Sequence, residues 1–195
     1  SLIRDPDGLG PALAAFLAGA DLILHGGDVV RPSVLEWCEQ FAPVLVAQGN
    51  NDDFHDRRMA PRQFLDVEGW RIGMVHELRP EDRPVHMLIE EALAGERVDI
   101  LIGGDTHVER LEHRDGVVVL NPGSPTLPHH REFRLGAAAL LKITSEGMHA
   151  EIVSLGHTDG SPNPTKPSTL FLPTPGPVRP MSAGDRDHPR PDAVR

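Results

Sequence analysis

One arrangement recurs in this sequence: a short apolar run ends at or beside glycine, and polar residues follow at once. Residues 21–25 lead into Gly26-Gly27-Asp28, residues 43–47 into Gly49-Asn50-Asn51-Asp52, and residues 98–102 into Gly103-Gly104-Asp105-Thr106-His107. Compact apolar runs bounded by turn signals read as strands buried on both faces. In open α/β sheets, ligands bind beyond the carboxyl ends of the strands. The arrangement therefore predicts a layered α/β fold whose polar loops gather along one sheet edge. A fourth loop of this kind, His76-Glu77, directly follows Gly73-Met74-Val75.

The intervening segments fit that plan. Helices are predicted over residues 9–17, with Pro11 tolerated in the first turn, and over residues 32–41, with Ser33 near the N-cap. A third is predicted over residues 81–94, where Pro84 weakens the start. Residues 64–68 and 70–75 flank Gly69 as a hairpin, and residues 108–113 and 117–120 flank Asp115-Gly116, a strong turn signal. A last β pair, residues 134–143 and 149–154, is expected around Glu146-Gly147. The first half alternates helix and strand and the second is mostly β, which predicts an α/β sandwich of packed layers. From His157 onward Pro, Thr, Ser, Gly and Asp dominate. Such a composition buries too little apolar surface to offset its ordering entropy. A domain over residues 1–156 and a disordered Pro-rich tail over residues 157–195 are therefore expected.

Charge and cysteine content narrow the function. The formal net charge is −10, which argues against coating nucleic acid or anchoring to a membrane through basic residues. A small phosphorylated substrate remains compatible, because bound cations supply positive charge locally. Cys38 is the single cysteine, so neither an internal disulfide nor a cysteine-based zinc cluster can form. It reads as a packed thiol on a helix, in a reduced, cytoplasmic setting. No apolar run is long enough to span a bilayer, and no signal-peptide pattern is visible. The first residue is Ser1, so the chain is expected to be a fragment or a processed product.

Singly, the loop residues say little. An Asp after a strand is commonly a helix cap, a Gly-Asn pair commonly a turn, and His25 lies inside its strand. Their joint order is more specific. The series Gly27-Asp28, Gly49-Asn50-Asn51-Asp52, His76, Gly104-Asp105-Thr106-His107 and Asn121-Pro122-Gly123-Ser124 resembles the calcineurin-like metallophosphoesterases, and more narrowly their small YfcE-type phosphodiesterases. The resemblance implies a four-layer α/β/β/α sandwich carrying two divalent metal ions at its strand ends. Asp28 would bridge the ions, Asn50 and His76 would bind the second, and His107 would bind the first. A metal-bridging hydroxide would then attack small phosphodiesters or phosphomonoesters, with Asp28 and Asn50 as catalytic residues. Asn51 stands where some relatives place a catalytic His or Cys. An amide cannot act as a general acid, so Asn51 is assigned to substrate binding. Manganese is placed first among the metals, with Fe, Co, Zn or Ni as the other candidates.

The resemblance also predicts departures. Relatives end their first strand with Asp-x-His, a motif that would fall just before Ser1, so the chain reads as N-terminally truncated and weak or no turnover is expected from these residues alone. Asp105 stands where relatives carry a metal-ligating His, and is expected to bind metal as a carboxylate. His76-Glu77-Leu78 stands where many relatives have His-Gly-His, so the second His, often near the substrate, is absent. His129 and His130 read as exposed loop histidines, and Asn121-Pro122-Gly123-Ser124 as a turn near the site. These departures leave two other readings, a phosphoesterase-fold scaffold like the retromer subunit related to this fold, or a nucleotide-binding protein without turnover. An oligomer remains open.

Overall fold

The computed structural model describes residues 10–130, 133–158 and 160–174. In chain order the elements are α1 (Gly10–Leu17), β1 (Ile23–His25), α2 (Pro32–Cys38), β2 (Val44–Ala47), β3 (Met59–Ala60), β4 (Arg62–Val67), β5 (Trp70–Val75), α3 (Val85–Leu93), β6 (Ile100–Ile102), β7 (Glu109–Arg114) and β8 (Val117–Pro122). A 3₁₀ turn at Pro128–His130, β9 (Ala137–Thr144), β10 (Gly147–Ser154) and β11 (Ser168–Pro173) complete it.

Three sheets result, ordered β1-β2-β3, β4-β5-β6-β8-β7 and β11-β10-β9. The first is parallel and the last antiparallel. The five-stranded sheet is mixed, with β5, β6 and β8 mutually parallel at its centre and antiparallel β4 and β7 at its edges.

Three apolar cores mark the four layers. In one, Leu13 and Leu17 of α1 and Val34 and Leu35 of α2 pack with Ile23, Val44 and Val46 of β1 and β2. The middle core joins Ile72 and Met74 of β5, Ile100 of β6 and Leu120 of β8 to Met148, Ala150 and Ile152 of β10. In the third, Val85, Leu88 and Leu93 of α3 cover Val75, Leu101 and Val119. Helix, sheet, sheet and helix therefore stack as the expected α/β/β/α sandwich. Alternation explains how one strand serves two cores: Ile100 and Ile102 of β6 face the opposing sheet while Leu101 faces α3.

Local chemistry sets the element ends. Two of the two-residue hairpin turns place both residues at positive φ, Glu68-Gly69 (47° and 82°) and Asp115-Gly116 (53° and 79°), as type I′ turns require. Helix α2 is shorter than expected; Arg31 holds its N-cap position without a side-chain capping bond and Pro32 opens its first turn, so Ser33 lies inside the helix. Helix α3 begins only after Pro84 and ends at Ala94 in the left-handed region. The last hairpin turns on Ser145 and Glu146, because Thr144 pairs with Gly147. Cys38 is a buried free thiol at the end of α2, as expected, and burial pushes its pKa up to about 11.

The C-terminal segment corrects an expectation. Within residues 160–174 the chain packs against the domain: β11 pairs antiparallel with β10 from Ser168 to Pro173. Leu170 and Leu172 pack on the middle core while Phe171 is exposed. A short alternating stretch can pair with a sheet edge even within a Pro- and Thr-rich segment, which average composition conceals. Residues 175–195 of the expected tail lie outside the described residues.

Candidate metal centre

The loops after β1, β2, β5 and β6 meet at one edge of the stacked sheets. Gly27, at φ 96°, makes the meeting possible. A Cβ there would fall 2.6 Å from His76 Nδ1 and 2.9 Å from Gly49 N, and would collide with the Ala47 carbonyl. Asp28 follows at φ 55°, which turns its carboxylate toward the second loop.

Asp52 locks these two loops. Only 7% exposed, it accepts the Asp28 N–H (3.0 Å) and the Gly49 N–H (2.8 Å) on one oxygen and the Val30 N–H (3.0 Å) on the other. Asn51 completes the junction, donating its backbone N–H (3.0 Å) and its side-chain amide (2.6 Å) to the Asp28 carboxylate. Burial opposes ionisation of Asp28, but these bonds and the nearby His76 outweigh it and hold the carboxyl below its usual pKa. Asp28 is thus a preformed anion.

His76, 8% exposed, is fixed from behind. Its Nδ1 lies 2.5 Å from the Gly26 carbonyl, which can only accept, so Nδ1 carries the proton. Nε2 then faces Asn50 Oδ1 at 3.1 Å, Asp105 Oδ1 at 3.3 Å and Asp28 Oδ1 at 3.5 Å. One ligand atom from each of Asp28, His76 and Asp105 lies within 4.8 Å of the other two. Three oxygens this close to one imidazole nitrogen call for positive charge among them, which a proton on Nε2 or a metal ion provides. A divalent cation supplies that charge, and mixed oxygen and imidazole donors suit Mn²⁺, Fe²⁺, Co²⁺ or Zn²⁺. A histidine ligand held by a backbone carbonyl through its other nitrogen is the usual arrangement in metal sites. The residues present therefore fit a metal ion.

Asp105 divides its carboxylate. Oδ1 faces His76, while Oδ2 takes a close ion pair with Arg79, which also pairs with Glu77. Arg79 thus balances the charge that a carboxylate adds at this position. His107, on the same loop, stands outside the three-residue cluster. Its Nδ1 lies 2.8 Å from the Leu127 carbonyl, and its ring stacks on His130 with centroids 4.0 Å apart. Burial lowers its pKa, so it stays neutral at neutral pH, and Nε2 has no hydrogen-bond partner among the described residues. The same logic that prepares His76 therefore applies to His107.

Several supporting residues escaped the sequence reading. Asp52 sits inside the quoted Gly-Asn-Asn-Asp run, but its burial was not foreseeable. Asn121, 1% exposed, donates to the Gly104 carbonyl (2.9 Å), to Thr106 Oγ1 (2.9 Å) and to Glu81 (2.7 Å), so the Asn-Pro-Gly-Ser turn braces the Asp105 loop. His129 is bound rather than free, with Nε2 2.8 Å from Glu109, whose other oxygen accepts from Thr165 of the C-terminal segment. His25 accepts the Gly27 N–H (3.1 Å), as a satisfied polar group should.

A layered α/β/β/α fold with Asp, Asn and His converging at its strand ends defines a metallophosphoesterase-type site. Residues 9–146 match the model of the calcineurin-like phosphoesterase superfamily domain, and the chain belongs to that superfamily. It is 33% identical over 137 residues to a protein of Methanothermobacter thermautotrophicus named "Probable metallophosphoesterase", covering 70% of this chain and 77% of that one. Among solved structures it is similar to wild-type Vps29 of Entamoeba histolytica complexed with zinc, at 24% identity and a TM-score of 0.65, covering 82% and 87% of the two chains. It is also similar to a predicted phosphoesterase of Streptococcus pneumoniae, at 18% identity and a TM-score of 0.61, covering 86% and 91%. These two structural likenesses bear on the fold alone.

Proposed function

We propose that this protein hydrolyses small phosphodiesters or phosphomonoesters with two divalent metal ions, Mn²⁺ foremost, in the manner of the YfcE-type enzymes. The observation that carries this reading is the convergence of Asp28, Asn50 and Asp105 on the carbonyl-fixed His76. Asp28, Asn50, His76 and Asp105 would hold one ion, with Asp28 and His107 directed to the other. Bound cations of this kind lower the pKa of water and stabilise charge developing on phosphoryl oxygens.

The chain's own groups do the remaining work. Asp28 stays ionised because Asn51 donates to both of its oxygens, which makes Asn51 a positioning residue as well as a neighbour of substrate. Gly26 fixes the His76 tautomer, and Asp52 fixes the spacing of the two loops. A cleft of about 860 Å³, lined by Asn50, His76 and Asp105, gives a small substrate access. No helix among the described residues is long and apolar enough to cross a membrane; we assign the protein to the cytoplasm on its single buried thiol. The test is hydrolysis of bis-p-nitrophenyl phosphate with added Mn²⁺, comparing the full-length protein with its Asp28→Ala variant. Metal-dependent release of nitrophenolate that the substitution abolishes is expected. Equal rates in the two proteins, or no dependence on metal, would remove the mechanism.

A further inference from the structure

The cleft holds a cation that the metal centre does not use. Arg62, the first residue of β4, lines it together with Asn50, His76 and Asp105. Its Cα pairs with Val75, the residue before His76. Strand spacing and rise then put the Arg62 and His76 Cα atoms roughly 6 Å apart. The side chain does not turn onto the metal-binding carboxylates. Its Nε donates to the Ala92 carbonyl at 2.6 Å, at the end of α3, and this leaves the two terminal nitrogens without a protein partner among the described residues. Arg79, in the same cleft, is by contrast neutralised by Asp105 and Glu77. In a chain of net charge −10, an arginine anchored by one nitrogen beside the site, with two donors open, is a prepared anion contact.

We infer that Arg62 binds a second anionic group on the substrate, so that the preferred substrate is an organic phosphoester that also carries a phosphoryl or carboxylate group. The inference rests on the hydrolase reading for the place of the reacting phosphate. Arg62 takes the distal group because its side chain is anchored at Ala92 and makes no hydrogen bond to the four metal donors. Two planar N–H donors match either a carboxylate or a phosphate edge.

The test measures binding by calorimetry at low ionic strength with Mn²⁺ present. It compares phenylphosphonate with 4-phosphonobenzoate and 1,4-phenylenebisphosphonate, whose second anionic groups sit across a rigid ring and cannot chelate the same ion. The wild type is expected to favour the two doubly anionic ligands by about fivefold, the scale of a partly exposed ion pair, and to lose the preference as salt rises. Arg62→Ala should bind all three alike, with phenylphosphonate unchanged, and Arg62→Lys should keep part of the preference. Which doubly anionic ligand binds better identifies the distal group. If Arg62 serves only to tie β4 to α3, the substitution lowers stability and leaves the ligand ratios as they were; that result, or equal binding of all three by the wild type, overturns the inference. Turnover of bis-p-nitrophenyl phosphate without any preference would spare the hydrolase reading and sink this one. Preference without turnover would do the reverse.

Discussion

Replacing Asp52 by alanine should unfasten the metal site and cost much of the stability of the fold. The Asp52 carboxylate accepts three backbone N–H groups from the loops after β1 and β2. Hydrogen bonds to a charged group contribute about 1.5–3 kcal/mol each. The low end is appropriate because Asp28 and Val30 are only half-buried and water can reach their N–H groups once the carboxylate is gone. Three bonds at that value give a loss of about 4–5 kcal/mol, against a whole-domain stability of about 5–15 kcal/mol. With a urea slope of about 2 kcal/mol/M, the unfolding midpoint should fall by roughly 2 M. Asp52→Asn keeps one acceptor oxygen and should lose roughly half as much. Urea unfolding followed by circular dichroism reads the stability, and Mn²⁺ titration of the folded variant reads the site, where affinity should fall with stability because Asp28 loses its fixed backbone. A loss below about 1 kcal/mol for Asp52→Ala, with Mn²⁺ affinity unchanged, would show that the three bonds do not hold the loops.

Two further outcomes follow from the same geometry. Arg79→Ala removes a positive charge from beside Asp105, so Mn²⁺ affinity measured by titration should rise severalfold, and the gain should shrink at high salt; weaker binding would mean that Arg79 positions Asp105 rather than competing with the metal. Burial pushes the pKa of His25 down to about 3, against an ordinary value of 6.5. The unfolded chain therefore binds a proton between those values that the folded chain refuses, so this stabilisation is complete above pH 6.5 and declines as pH falls toward 3. The slope of unfolding free energy against pH between 6.5 and 5 should be steeper for the wild type than for His25→Gln, and equal slopes would contradict the burial argument.

The parts of the molecule legible in the sequence were those written locally. Apolar runs of four or five residues gave β1, β2 and β6 to within two residues, and Asp115-Gly116 gave its hairpin. The ordered loops also placed Asp28, Asn50, His76 and Asp105 together, because strand polarity alone directs such loops to one edge. What escaped depends on distant partners. Strand β3 is two residues long and exists because Met59 and Ala60 lie beside β2. Strand β11 exists because β10 offers it an edge, a fact no composition window records. The helix starts at Pro32 as expected, but its cap position is Arg31 rather than Ser33, because Pro32 with its fixed φ takes the first helical position. The sequence assigns Asn51 to the substrate but does not show its bonds to Asp28, which form once Gly49 and Asp52 fold the loop back. The pairing of Arg79 with Asp105 joins residues 26 apart, and neither residue signals the other.

The account stands on Asp28, Asn50, His76 and Asp105 holding a divalent cation. Anomalous diffraction from crystals equilibrated with Mn²⁺, recorded at the manganese edge, tests this most directly. A peak within bonding distance of His76 Nε2 and of oxygens from Asp28, Asn50 and Asp105 is the predicted result. A peak elsewhere, or a site left empty at saturating Mn²⁺ while Arg79 remains on Asp105, would contradict it.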